Sequence, residues 1–156
     1  YDARTYDQGP FSTFAVQLPP PANPSVPRSS RALQWTGLEF TNDGRHILLS
    51  SHSAWMSIDA FKGQVVAEYS GHASDGRLPL VASASPDCEH VLCGSADGRV
   101  HVWELESGKK SAVWADQHPA PVTHVRWNPS YRFVASACTA LCFWLPQGDD
   151  TAQPNL

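Results

Sequence analysis

Positive charge is scarce in this chain: 11 Lys and Arg stand against 15 Asp and Glu, a formal net charge of −4. Nucleic acid is held through a basic field, and without one no direct nucleic-acid binding is expected. Long apolar runs are missing as well. No stretch of about 18 apolar residues would span a bilayer, and no leader-like segment opens the sequence, so a soluble, intracellular protein is expected. Cysteine is limited to Cys88, Cys93, Cys138 and Cys142. None forms a CxxC pair, and Cys138 with Cys142 has no second ligand pair elsewhere, so no zinc framework is predicted. The four read as buried small hydrophobes in a reducing compartment. No glycine-rich phosphate loop occurs. Histidines 46, 52, 90, 101 and 124 are scattered without metal-motif spacing, and Asp149-Asp150 is a solvated pair in a polar tail. Neither a metal, a cofactor nor a catalytic residue is expected.

What is present is apolar and aromatic. Apolar residues make up 42% and aromatics 10%, with six tryptophans, a globular rather than a disordered composition. Short strand-like segments recur at regular spacing, separated by turn residues, and no helix-period stretch interrupts them. TGLEF, HILLSS, WMSID and VVAEY form one set, broken by Thr41-Asn42-Asp43-Gly44 and Phe61-Lys62-Gly63. LVASAS, VLCGS, VHVWE and SAVWA form a second, broken by Pro86-Asp87, Asp97-Gly98 and Ser107-Gly108. VTHVRW, FVASAC and LCFW form a third, which stops at Trp144.

Equivalent residues repeat at a near-constant interval. Pro86 and Pro129 are 43 residues apart, Trp103 and Trp144 are 41 apart, and Gly71-His72 is matched by Gln117-His118, 46 residues on. Four short strands per 40–45 residues is the pattern of WD40-type propeller blades. The predicted fold is all-β, with about three blades of a propeller at residues 35–69, 80–115 and 122–144. In strand VHVW, alternation puts His101 and Trp103 on one face and Val100 and Val102 on the other. Residues 1–16 read as the closing strand of a preceding blade, with FSTFAV as a strand and Tyr1-Asp2 in the place of a terminal Trp-Asp. Residues 17–34 hold five of the 13 prolines and read as a Pro-rich loop, either a solvated insertion or a ligand for an aromatic groove. Residues 146–156 form a polar tail. Three blades leave a ring open, so the chain is expected to be a fragment, a truncated product or half of an assembly, its ring completed by N-terminal blades outside it.

Four polar or aromatic residues of the second unit belong together: His72 before the first strand, Ser95 on the second, Asp97 in the turn and Trp103 on the third. Carboxylate, imidazole, hydroxyl and indole can share hydrogen bonds and tie the loop to the blade. A hydrolase built on Ser95, His72 and Asp97 uses the same residue types, but no oxyanion motif accompanies the serine. The third unit keeps His118, Ser136 and Trp144, with Cys138-Thr139 where the turn Asp belongs; the first keeps Ser51 and has Ile58-Asp59 for Trp-Asp. Partner-binding candidates are Trp35, just before TGLEF on the loop side assigned to the top face, Arg77 in a long loop, and Arg99 after the Asp97-Gly98 turn. The two arginines either pair with an acidic or phosphorylated peptide or are ordinary solvated surface.

GPFSTF, WTGLEFTNDGRHILLS, IDAFKG, GSADGRVHVWELESG and NPSYRFVASAC running into FWLP together resemble a particular family. It is the eukaryotic WD-repeat subunit shared by the COMPASS-type histone methyltransferase complex and a phosphatase-containing transcription-termination complex, and the likeness is to its C-terminal half. The resemblance implies a seven-bladed, non-enzymatic scaffold in the nucleus. Its implied protein partners are a methyltransferase catalytic subunit, a phosphatase regulatory subunit and RNA polymerase II with a serine-phosphorylated C-terminal domain, with no membrane partner. The Pro-rich segment departs from the family's shorter connection. A WD-repeat adaptor of another complex, such as a ubiquitin-ligase substrate receptor, is the alternative within the binding class.

Overall fold

A computed structural model describes residues 4, 7, 9–10, 12–16, 35–51, 54–74, 78–115 and 117–145. The Tyr1-Asp2 pair, the Pro-rich segment, Arg77 and the polar tail lie outside these residues. Eleven strands build three antiparallel sheets among them. The first sheet runs β1 (Trp35–Phe40), β2 (His46–Ser51), β3 (Trp55–Asp59), β4 (Val65–Tyr69). The second runs β5 (Ala82–Ala84), β6 (His90–Gly94), β7 (Val100–Glu104), β8 (Lys110–Trp114). The third runs β9 (His124–Trp127), β10 (Val134–Ala137), β11 (Leu141–Trp144), with no fourth strand among the described residues.

The sheets stack face to face, which explains why their strands are apolar on both sides. Leu48, Trp55 and Tyr69 of the first sheet pack against Leu80, Val91, Cys93, Trp103 and Leu105 of the second. The other face of the second sheet gives Leu92, Val100 and Val102 to a core shared with Val122, Val125 and Val134. Strand β7 therefore splits as its alternation requires, Trp103 to one neighbour and Val100 and Val102 to the other. The three first strands converge: Arg126 pairs with Glu39, and Ser83 lies between them, its Oγ 3.5 Å from Glu39 and accepting the Trp127 N–H at 3.3 Å.

The turns repeat in detail. In the first sheet the Asp43 carboxylate accepts from the Thr41 hydroxyl at 2.6 Å and the Arg45 N–H at 3.0 Å. In the second, Asp87 accepts from the Ser85 hydroxyl and, at 3.0 Å, from the Glu89 N–H. Gly44 closes the first turn at φ 68°, and its counterpart Cys88 adopts φ 61°, a left-handed conformation that costs a side chain strain.

Two local expectations change. The described residues 12–16 of the FSTFAV segment form no strand; they pass the Lys62–Val65 turn, where Val16 packs against Leu49, Met56 and Ile58. Among the described residues no strand lies alongside to give that segment a ladder. LVASAS supplies only the three residues of β5, because the Val81 N–H reaches across to the Thr123 carbonyl at 3.3 Å and Leu80 turns its carbonyl to an indole.

Candidate functional site

Strands β6 and β7 and the loop from β4 bring His72, Ser95, Asp97 and Trp103 to one end of the second sheet, but their hydrogen bonds run differently from the predicted chain. Fully buried Ser95 is taken by the backbone one residue past the histidine: its Oγ accepts the Ala73 N–H at 2.9 Å and faces the Ala73 carbonyl at 3.2 Å. The Trp103 indole donates to the Ser70 carbonyl at 3.1 Å. The His72 ring is wedged against Trp55, ring centroids 3.3 Å apart, and its Nδ1 is buried without a partner. Trp55 has its own indole held by the Leu80 carbonyl at 3.0 Å. Burial above all, helped by His101 and Lys110, drops the His72 pKa from 6.5 to about 3, so the ring is neutral. Slight desolvation raises the Asp97 carboxyl, but hydrogen bonding from Ser95 and Arg99 and nearby positive charge leave it below its ordinary value. Ser95 is thus bonded to the Ala73 backbone, His72 Nδ1 has no partner, and the Ser–His–Asp relay is not drawn together.

The third sheet makes the chain that the second does not. The Trp144 indole donates to Ser136 Oγ at 2.6 Å, and Ser136 Oγ lies 2.7 Å from His118 Nε2. His118 Nδ1 then lies 3.1 Å from Cys138 Sγ, so the cysteine occupies the place of the turn carboxylate. The sulfur also accepts the Ala140 N–H at 3.2 Å. Cys142 on β11 approaches the same imidazole nitrogen at 3.9 Å. Only Cys93 is a fully buried thiol; Cys88, Cys138 and Cys142 are half-buried, which corrects the reading of all four as core hydrophobes.

The partner-binding candidates are spread out. Trp35 is the first residue of β1 rather than a loop residue, and 42% of it is exposed. Arg99 is exposed beyond the Asp97-Gly98 turn, its Nε 3.9 Å from Asp97, and Arg77 lies outside the described residues. Asp87, Glu89 and His90 bring their ligand atoms within 4.8 Å of one another at an exposed turn, a grouping the sequence spacing did not single out. Asp87 is already engaged by Ser85 and Glu89, which makes the grouping a turn device. Among the large exposed apolar residues, four sit on the outward faces of the end sheets: Leu38 and Phe40 on β1, Leu141 and Phe143 on β11, each more than half exposed. Interior blade faces carry apolar side chains only to pack a neighbour, so these faces are built for contact.

Repeated antiparallel sheets of up to four strands, stacked through both faces of the middle one, define a partial WD40 propeller. The chain belongs to the WD domain, G-beta repeat family, which matches residues 63–104 and 108–144. Each match begins on the last strand of one sheet or just before it, so the sequence repeat is offset by one strand from the structural blade. The chain is similar to "WD repeat-containing protein 82" of Drosophila melanogaster, 38% identical over 151 residues that cover 96% of this chain and 44% of that protein. It is 30% identical to "Protein ANTHESIS POMOTING FACTOR 1" of Arabidopsis thaliana over 155 residues, 99% of this chain and 43% of that protein. Against the "COMPASS component SWD2" of Saccharomyces cerevisiae, identity is 27% over 157 residues, 93% of this chain and 44% of the yeast protein. The chain spans less than half the length of these curated relatives.

Proposed function

We propose that this chain is the blade-bearing half of a non-catalytic WD-repeat scaffold subunit that works in the nucleus. It serves a COMPASS-type histone methyltransferase complex, a phosphatase-containing transcription-termination complex, or both. The observation that carries this reading is likeness along 96% of the chain to one WD-repeat relative, joined by likeness to a protein named as a COMPASS component. The local chemistry agrees with it. Ser95 is buried and bonded to backbone, and His72 lies against Trp55, so these residues hold the blade rather than cut a bond.

On this reading the exposed Leu38–Phe40 and Leu141–Phe143 faces are covered by further blades of a seven-bladed ring. The loops then carry the partner contacts, with exposed Arg99 placed to meet a phosphorylated serine peptide such as the RNA polymerase II C-terminal domain. Purification of the tagged chain from its own cells, with its partners identified by mass spectrometry, tests the proposal. Enrichment of a histone methyltransferase catalytic subunit or a phosphatase regulatory subunit supports it. Recovery of ubiquitin-ligase components alone contradicts it.

A further inference from the structure

The Trp144–Ser136–His118 chain on the third blade ends on a thiol, and its direction can be worked out. An indole N–H only donates, so Ser136 Oγ accepts from Trp144. The Ser136 proton then serves His118 Nε2, and the remaining imidazole proton sits on Nδ1, 3.1 Å from Cys138 Sγ. This arrangement uses every proton once and keeps His118 neutral, in accord with the partial burial that lowers its pKa. Cys138 Sγ therefore faces two N–H donors, His118 Nδ1 and the Ala140 amide, which favour its thiolate. Slight desolvation raises this thiol, but hydrogen bonds from Ala140, Thr139 and Ala120 together bring it below its usual range.

The other cysteines differ. Cys93 is buried in the core and burial pushes its thiol up. Cys88 Sγ faces the Pro86 carbonyl at 3.9 Å. Cys142 on β11, opposite Ser136, which stands two positions before Cys138, brings a second sulfur to within 3.9 Å of His118 Nδ1.

We propose that Cys138 is an oxidation site for hydroperoxides and that Cys142 is the thiol that resolves it. The Cys138 thiolate attacks an oxygen of the hydroperoxide, and the S–O bond forms as the O–O bond breaks. Sulfur gives up two electrons to the departing oxygen, which leaves as hydroxide or alkoxide and is protonated by water. The product is a sulfenic acid at Cys138. The Cys142 thiol then attacks that sulfur, one water is released, and a Cys138–Cys142 disulfide remains. Forming it takes the sulfur away from His118 and cuts the tie between the β10–β11 turn and the loop before β9.

The test is competition within one molecule. The reduced full chain is treated with one equivalent of hydrogen peroxide at pH 7 and digested with trypsin. Cys88 and Cys93 then fall in the Leu78–Arg99 peptide, and Cys138 and Cys142 in the peptide that begins at Phe133. A thiol held by two N–H donors carries more thiolate at pH 7, a gain only partly offset by the lower nucleophilicity of that thiolate. Cys138 is expected to oxidise at least about threefold faster than Cys88, with the Phe133 peptide losing two hydrogens as its disulfide forms. In Cys142→Ser a sulfenic-acid trap should label Cys138, and in urea the Cys138 to Cys88 ratio should fall to about one. Trp144→Phe and Ser136→Ala, checked for retained circular dichroism, should lower that ratio. Equal rates at Cys138 and Cys88 in the folded chain, or a ratio unchanged by urea, would overturn the proposal.

Discussion

Because the second and third blades carry the same residue types with different bonding, a pair of double-mutant cycles can tell them apart. In the third blade Ser136 Oγ receives the Trp144 indole at 2.6 Å and lies 2.7 Å from His118. Ser136→Ala leaves the indole N–H unpaired in a largely buried site, and a loss of about 1–3 kcal/mol follows. Trp144→Phe removes the donor while keeping a ring in place. The two changes delete one shared bond, so their coupling should be about 1–1.5 kcal/mol. In the second blade Ser95 is held by Ala73 and Trp103 by Ser70, with no bond in common. The Ser95→Ala and Trp103→Phe cycle should therefore add to within about 0.5 kcal/mol. Urea unfolding followed by far-ultraviolet circular dichroism gives all seven free energies, the wild type being shared by both cycles. Equal coupling in both cycles, or larger coupling in the second blade, would refute the bonding described above.

Three further perturbations follow from the packing and the charges. Leu92→Ala empties a fully buried position between the second and third sheets and should cost about 2–5 kcal/mol in urea unfolding. Cys88→Gly relieves the φ 61° conformation at a turn where Gly44 already serves in the first blade, and should raise stability by about 1 kcal/mol in the same assay. His72 is neutral when folded, with its pKa reduced from 6.5 to about 3, whereas the unfolded ring takes a proton near 6.5. Its contribution is thus complete above pH 6.5 and is lost as pH falls toward 3; urea midpoints at pH 7 and pH 5 should show the drop, and His72→Asn should reduce it.

Much of the architecture was legible because each strand announces itself in the same way. HILLSS and VHVWE are bounded by turn residues such as Asp43-Gly44 and Asp97-Gly98, and their apolar faces repeat on a fixed period. The repeat also located a His, a Ser and a Trp in each of two blades, yet residue type does not decide which atoms bond. Trp55 begins β3, where Val100 begins β7, and no spacing rule announces that its ring will sit against His72. FSTFAV has strand composition but lacks a partner among the described residues, and composition cannot supply a ladder. At Cys138 the sequence marked a cysteine in the place of the turn carboxylate. What it did not reveal is that the sulfur there comes within 3.1 Å of His118 Nδ1. Cys88 in a left-handed turn was invisible for the opposite reason: only its alignment with Gly44 exposes it.

Three blades stack through both faces of the middle one, and the outward faces of the first and third keep exposed apolar residues on β1 and β11. Amide hydrogen exchange of the full chain, resolved by peptide, tests this stacking most directly. The account predicts slowest exchange in β6 and β7, whose two faces are covered by Leu48, Trp55 and Tyr69 on one side and Val122, Val125 and Val134 on the other. It predicts faster exchange in β1 and β11, which carry the exposed Leu38, Phe40, Leu141 and Phe143. Protection in β6 and β7 no greater than in β1 and β11 would contradict it.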